Sequence, residues 1–459
     1  MPRTRSRTIA LNLSQNRFEQ NLASPIHRLP NEIIANVFTL GRPPIVYTDI
    51  SHPDIDLHKY PVLLGSVCQL WRQVARTVPQ LWTYVLIRKP DSKAAMEFDR
   101  KMLRTVLELS RTSELYLSIA PGLDPSQRSP LRQYFDDITP HLSRISTLFA
   151  FAWLSWDDKL CVIPSRANVE FPKLRHFSVS DQQDLPSFLP FVFPTWIRNA
   201  PLETLQYSLH ASLDITTVPT ARLHTLRMET GAVMRETTEF IDSFPLRVLH
   251  LTVNRWNRDA VLSSKTLMHV ELEIENLGWG CSGNLGALPN LLHLSFAGSH
   301  SHYDFHFLRQ WPDFPSLLSL RVAICGPPRT ARANIMGLLH KSPRIVTLQI
   351  PDTDALSVAD FFRAHWNSAL LNNVGDPLRL IRIIACTPSP VNHFSSLAAA
   401  LHQIPGLRIE WHTPHASILK HLSSIATEVD TIHLSPGELP PLTGYRRYLM
   451  FDKTWQLRD

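Results

Sequence analysis

The chain has 459 residues, 44% of them hydrophobic and 19% charged, a composition that excludes an intrinsically disordered protein. Its net charge of +6 is scattered apart from Arg3, Arg5 and Arg7, so it supplies no patch of the kind a nucleic acid needs. The 36 prolines against 15 glycines disfavour glycine-built phosphate loops and suit many short elements joined by stiff connections.

Residues 1–18 are arginine-rich and free of acids. A transit peptide or a nuclear signal shares that composition, but a disordered basic tail over 1–22 is the simpler reading. No hydrophobic secretory core is visible at the N-terminus. No apolar run approaches the ~20 residues of a bilayer-spanning helix. The cysteines are Cys68, Cys161, Cys281, Cys325 and Cys386. Odd in number, widely spaced and without a CxxC, they argue against a disulfide framework or a zinc module and for a reducing compartment, cytoplasmic or nuclear.

The first structured segment is SPIHRLPNEIIANVF, Ser24 to Phe38. Pro30 suits the first turn of a helix, where its missing N–H costs nothing, and Glu32 suits the positive end of the helix dipole. Ile33, Ile34, Val37 and Phe38 then share one face at helical spacing. The next stretch, Gly41 to Pro61, holds four prolines and reads as a loop. A second helix follows, with Leu64, Val67, Cys68, Trp71, Ala75 and Val78 as its apolar stripe and Gln69, Arg72, Gln73 and Arg76 on the opposite face. Pro79 stops it, and Leu81 and Trp82 follow. So small a helical module, over 23–88, buries too little surface to be secure alone, and it carries more large apolar side chains than it needs.

The run Leu29-Pro30-Asn31-Glu32-Ile33, then Val67-Cys68-x-x-Trp71-Arg72-x-x-Ala75, then Pro79-Gln80-Leu81-Trp82 resembles an F-box. It is most similar to the F-box proteins of mushroom-forming fungi, over Pro25 to Ile87, and departs from them in the long proline-rich loop between the first two parts. The resemblance implies that an apolar face inserts into a Skp-type adaptor, which in turn joins a cullin scaffold in an SCF ubiquitin ligase. The residues it marks for that contact are Leu29, Pro30, Ile33, Ile34, Val67, Cys68, Trp71, Leu81 and Trp82. Some of them must be the module's own core, and the sequence does not sort core from interface.

A connecting helix is expected over 89–112, from Ser92 to Arg111, with Phe98, Met102, Leu103, Val106, Leu107 and Leu109 as its apolar positions. It runs into the strand-like LYLSI at Leu115. From there to residue 459 a short pattern recurs: apolar, two residues, apolar, one residue, apolar. The copies are LRHFSV at 174, LETLQY at 202, LHTLRM at 223, LRVLHL at 246, LMHVEL at 267, LLHLSF at 291, LLSLRV at 317, IVTLQI at 345, LRLIRI at 378 and VDTIHL at 429. ISTLFA at 145 is a poorer copy, and a degenerate one lies near GLRIEW at Gly406.

From 145 to 378 the copies start 21 to 33 residues apart. L-x-x-L-x-L at such a period is the signature of leucine-rich repeats. Each unit would form one short strand whose leucines enter a shared core, and none could bury its face alone. The family form places Asn or Cys three residues after the third leucine to bond the turn; here that is Asn254, Cys325 and Cys386. The fold class is therefore α/β: a small N-terminal helical F-box module and an irregular leucine-rich-repeat solenoid, a horseshoe, over 113–459. The competing reading is a sheet of buried strands in some other α/β arrangement.

In a horseshoe the residues between the leucines face the concave side. One column reads Ser178, Gln206, Arg227, His250, Glu271, Ser295, Arg321, Gln349 and Arg382; its neighbour includes His176, Thr204, Thr225, His269 and His293. Most concave positions are expected to be simply solvated. The residues assigned to a protein substrate are Arg227, His250, His269, His293, Arg321 and Arg382.

Catalytic constellations are weak. Gly278 to Gly283 spells GxGxxG, but no helix fits before the strand at Leu291, so a tight turn explains it. His300, His302 and His306 form a histidine-rich loop with no supporting carboxylate geometry. Asp157 and Asp158 point apart. No nucleophile elbow, HExxH, P-loop or RING-type zinc pattern is present. The chain is thus expected to be a non-catalytic substrate-recognition adaptor with no cofactor and no metal, binding a Skp-type adaptor and a protein substrate but neither nucleic acid nor membrane. The alternatives are a Skp-binding scaffold or interaction protein with no ligase role, and an enzyme of unrecognised class.

Overall fold

Pro30 starts the first helix from the cap. With φ −54° and ψ 147° it stands just before α1 (Asn31–Leu40), and its carbonyl accepts from the amides of Ile33 and Ile34. Glu32 lies in the first turn as the dipole favours. The helix ends where the Gly41 amide closes on the Val37 carbonyl at 2.8 Å. A Cβ at Gly41 would come within 2.8 Å of the Tyr60 hydroxyl, which donates to the Phe38 carbonyl at 3.0 Å. A larger residue there would have to push that hydroxyl aside.

The computed structural model describes residues 25–43, 55–88, 92–120, 128–151, 170–180, 199–208, 222–274, 284–299, 310–325, 337–351, 380–384, 408–413 and 430–433, with the single positions 90, 218 and 308. They belong to two compact units. One comprises Met1–Leu185, Phe191–Leu209 and Thr216–Ala221, the other Pro186–Pro190, His210–Ile215 and Arg222–Asp459. The expected basic tail over 1–22 lies outside the described residues.

Two expectations for the helical segment are corrected. Residues 55–61, read as the end of a loop, are the first half of α2 (Ile55–Val67), which carries Pro61 inside it. Pro61 has no N–H to give the preceding turn, and burial of its ring offsets that loss. The single helix read over 64–78 is two. Cys68, with φ −158° and ψ 173°, breaks it and caps α3 (Gln69–Thr77), its Sγ accepting from the Trp71 amide at 3.4 Å. Pro79–Trp82 then forms a 3-10 turn. Trp82 is buried there, and its indole N–H donates to the Ala75 carbonyl at 2.7 Å.

The helical segment runs directly into a strand. Tyr84–Ile87 is β1, the first strand of a parallel sheet. In the first unit the sheet runs β1, β2 (Leu115–Ile119), β3 (Ile145–Phe151), β4 (His176–Ser180) and β5 (Thr204–Ser208), every pair parallel and in chain order. Parallel neighbours need crossovers. α4 (Lys93–Leu109), capped by Ser92, joins β1 to β2, and α5 (Arg128–Ile138) joins β2 to β3. Leu103, Val106 and Leu107 of α4 are buried as expected, whereas Phe98 is exposed. Arg100 and Arg104 both grip Asp137 of α5, at 2.8 and 2.9 Å.

The second unit repeats the arrangement. Its sheet runs β6 (Thr225–Val233), β7 (Val248–Trp256), β9 (His269–Ile274), β11 (His293–Ser299), β12 (Ser319–Cys325), β13 (Thr347–Pro351), β14 (Leu380–Ile384), β15 (Arg408–Thr413) and β16 (Asp430–His433), again parallel. Among the described residues, α6 (Arg235–Ser243), a helical turn over 337–340, and the two-residue strands β8 (Val261–Leu262) and β10 (Asn284–Leu285) lie between these strands in sequence.

Every copy of the apolar pattern contributes one strand. The three apolar positions of the copies from 174 to 317 are all buried: Leu174, Phe177 and Val179 in one, Leu317, Leu320 and Val322 in another. The carbonyl of a copy's second residue accepts two amides from the next copy. Arg247 accepts from Met268 and His269, Met268 from Leu292 and His293, and Leu292 from Leu318 and Ser319. Asn254, expected to bond a turn, instead lies inside β7, and Cys325 ends β12; Cys386 is outside the described residues. Among the described residues no helix is long and apolar enough to cross a membrane. The protein is thus mixed α/β, dominated by parallel sheet.

Candidate functional site

α1 carries two apolar faces where the sequence suggests one. Ile34 and Phe38 are buried, while Ile33 and Val37 are 46% and 49% exposed. Leu29 and Leu40 extend the exposed face, so residues 29, 33, 37 and 40 form a stripe at spacings of four, four and three. α2 adds exposed Val62, Leu63 and Val67. Exposed large apolar side chains concentrated on so small a segment make it a candidate interaction surface.

The nine residues singled out in this segment are thereby sorted. Leu29, Pro30, Ile33 and Val67 are exposed. Cys68 and Trp71 are half-buried; Cys68 caps α3 and Trp71 packs edge-on against Phe38 with ring centroids 4.9 Å apart. Ile34, Leu81 and Trp82 lie in the core.

A second candidate is the polar face of the second unit's sheet. Strand register places Arg227, His250, Glu271, Ser295, Arg321, Gln349 and Arg382 side by side on consecutive strands. His269 and His293 stand opposite one another in the next row. All six residues assigned to a substrate therefore fall in two adjacent rows. The expectation that this face is solvated is corrected. Glu271, Ser295, Ser319, Arg321 and Gln349 are buried, and the histidines are half-buried.

His250 Nδ1 lies 2.5 Å from Glu271 Oε2, and Thr252 donates to Glu273 at 3.3 Å. The rings of His250 and His269 are 5.5 Å apart, those of His269 and His293 5.7 Å. Burial, and then the neighbouring His250, pushes His269 down to about 4, so its imidazole is neutral near pH 7. Burial also lowers the pKa of Arg227 against the pull of Glu271. The oxygens Glu271 Oε1, Ser295 Oγ and Ser319 Oγ are buried with no hydrogen-bond partner among the described residues.

No protein-family model matches this chain, and no curated protein matches it. Its function is therefore argued from these two surfaces. Sequence columns contain Glu271, but only register shows that it abuts His250. The GxGxxG stretch at 278–283, the histidines at 300–306 and Asp157-Asp158 lie outside the described residues; 284–292, which follow the glycines, hold no helix.

Proposed function

We propose that the chain is a substrate-recognition adaptor of an SCF-type ubiquitin ligase: an F-box protein with irregular leucine-rich repeats. The exposed apolar faces of α1 and α2 would dock on a Skp-type adaptor, and the repeat strands would hold a protein substrate. The observation that carries this reading is the stripe Leu29, Ile33, Val37 and Leu40, left uncovered beside a well-packed core of Ile34, Phe38, Leu81 and Trp82. It coincides with the segment whose sequence resembles an F-box. Such a protein performs no chemistry. It raises rate by proximity, holding a substrate lysine at high effective concentration near a carried ubiquitin.

Co-expression with a Skp-type adaptor tests the proposal. The unmodified chain is expected to co-purify with the adaptor and, through it, with a cullin. The triple variant Leu29→Asp, Ile33→Asp, Val67→Asp is expected to lose both while staying folded, because all three side chains are exposed. An unmodified chain that does not hold the adaptor refutes the reading. Adaptor capture without cullin capture favours an interaction protein with no ligase role.

A further inference from the structure

We propose that His250, His269 and Glu271 form a binding site for a divalent transition-metal ion of the zinc class. His250 comes from β7, and His269 and Glu271 come from β9, two residues apart on one face. Register sets His250 directly beside Glu271 and His269 one row away. One ligand atom from each residue lies within 4.8 Å of the others. Atoms bound ~2 Å from a common ion stand ~3–3.5 Å apart, so modest side-chain rotations close the set with no backbone movement. Parallel strands are rigid supports for such a triad.

A second observation points the same way. Glu271 is a buried carboxylate that uses one oxygen on His250 and has none of the described residues on the other. Buried polar atoms are ordinarily satisfied, and an ion held by both imidazoles at this point would give Oε1 a partner. Two nitrogens and one carboxylate oxygen suit zinc-class ions over magnesium or calcium, which prefer oxygen alone. Three protein ligands leave a fourth position for water. Glu273, two residues on, adds negative charge to the same face. Arg227 on β6, beside His250, works against a cation, so Arg227→Met is expected to tighten binding.

The test uses the full, tag-free chain stripped of metal by a chelator and titrated calorimetrically with zinc. One zinc per chain is expected. His269→Ala and the isosteric Glu271→Gln should each weaken it ~100-fold or more, since even outer-shell changes at metal sites cost ~10–100-fold. Circular dichroism checks that both variants fold. Cobalt(II) added to the unmodified chain supplies a measurement free of mutation: intense visible d–d bands are expected from a four-coordinate site with nitrogen ligands. Absence of stoichiometric zinc binding, zinc affinity unchanged in folded Glu271→Gln, or a cobalt spectrum of the hexa-aquo ion would each overturn the proposal.

Discussion

Ile33 and Ile34 are neighbours in sequence with opposite fates, and truncating each separates folding from docking. Ile34 is 1% exposed, so Ile34→Ala leaves a cavity in the core and should cost about 2–5 kcal/mol of stability. Ile33 is 46% exposed. Fully burying an isoleucine side chain is worth about 1.5–3 kcal/mol, so the uncovered half offers an adaptor roughly 1 kcal/mol. Ile33→Ala should therefore weaken adaptor binding about 5-fold while changing stability by no more than about 1 kcal/mol. Hydrogen exchange at the α1 and α3 amides reads local stability, and calorimetric titration with the adaptor reads affinity. Equal loss of protection in the two variants would refute the division into core and docking faces. So would adaptor affinity untouched by Ile33→Ala.

Other outcomes follow from single interactions. Trp82→Phe removes the indole bond to the Ala75 carbonyl and should cost about 1–3 kcal/mol in chemical denaturation, without changing adaptor affinity per folded molecule. Arg144 ties the end of α4 to the sheet, donating to the Ser113 carbonyl at 3.0 Å and to Ser110 Oγ at 2.7 Å; Arg144→Met should lose about 2–3 kcal/mol, read by the same denaturation. Burial holds the pKa of His58 below 6.5, against a hydrogen bond that its ring donates to the Tyr84 backbone. Because the folded value is depressed, the stability that this group contributes is complete above its unfolded pKa and is lost as pH falls through the folded one. His58→Leu should flatten the decline in stability below pH 6.5; an unchanged slope would show that His58 is not the group responsible. Burial raises the pKa of Asp137, but its hydrogen bonds to Arg100 and Arg104 outweigh that and leave it low. Asp137→Asn should therefore loosen α5 from α4 at neutral pH, seen as faster exchange of α5 amides.

Much of the sheet is legible because its pattern is local. Apolar residues at the first, fourth and sixth positions of each copy mark a strand, and like positions of successive copies pair in register. His269 faces His293 because the copies at 267 and 291 place a histidine at the same point. The helical segment is less legible. Pro61 argues against a helix on local grounds, and only its burial reveals why one persists. Cys68 looks like one more apolar residue in a stripe, whereas its backbone is extended and its sulfur caps α3. Ile33 and Ile34 are chemically identical, so periodicity places both on an apolar arc wider than the core can cover. Which half is covered depends on where α3 and the 3-10 turn land, and that is tertiary information.

The polar rows carry the strongest argument that this sheet does more than fold. Strands buried on both faces usually read as near-continuous apolar runs. Here the fifth positions of the copies from 174 to 378 stay polar although Glu271, Ser295, Arg321 and Gln349 are buried. An unsatisfied buried polar group costs about 1–3 kcal/mol, and valine or leucine at these points would fold at least as well. The fold's own needs therefore do not explain Glu271 Oε1, Ser295 Oγ or Ser319 Oγ. Polar atoms in such positions are satisfied by water or by a ligand. Replacing Ser295 with Ala separates the two: if only the fold is at stake, the variant is as stable or more so and nothing else changes; if the row holds substrate, capture of that substrate weakens while stability rises or stays level.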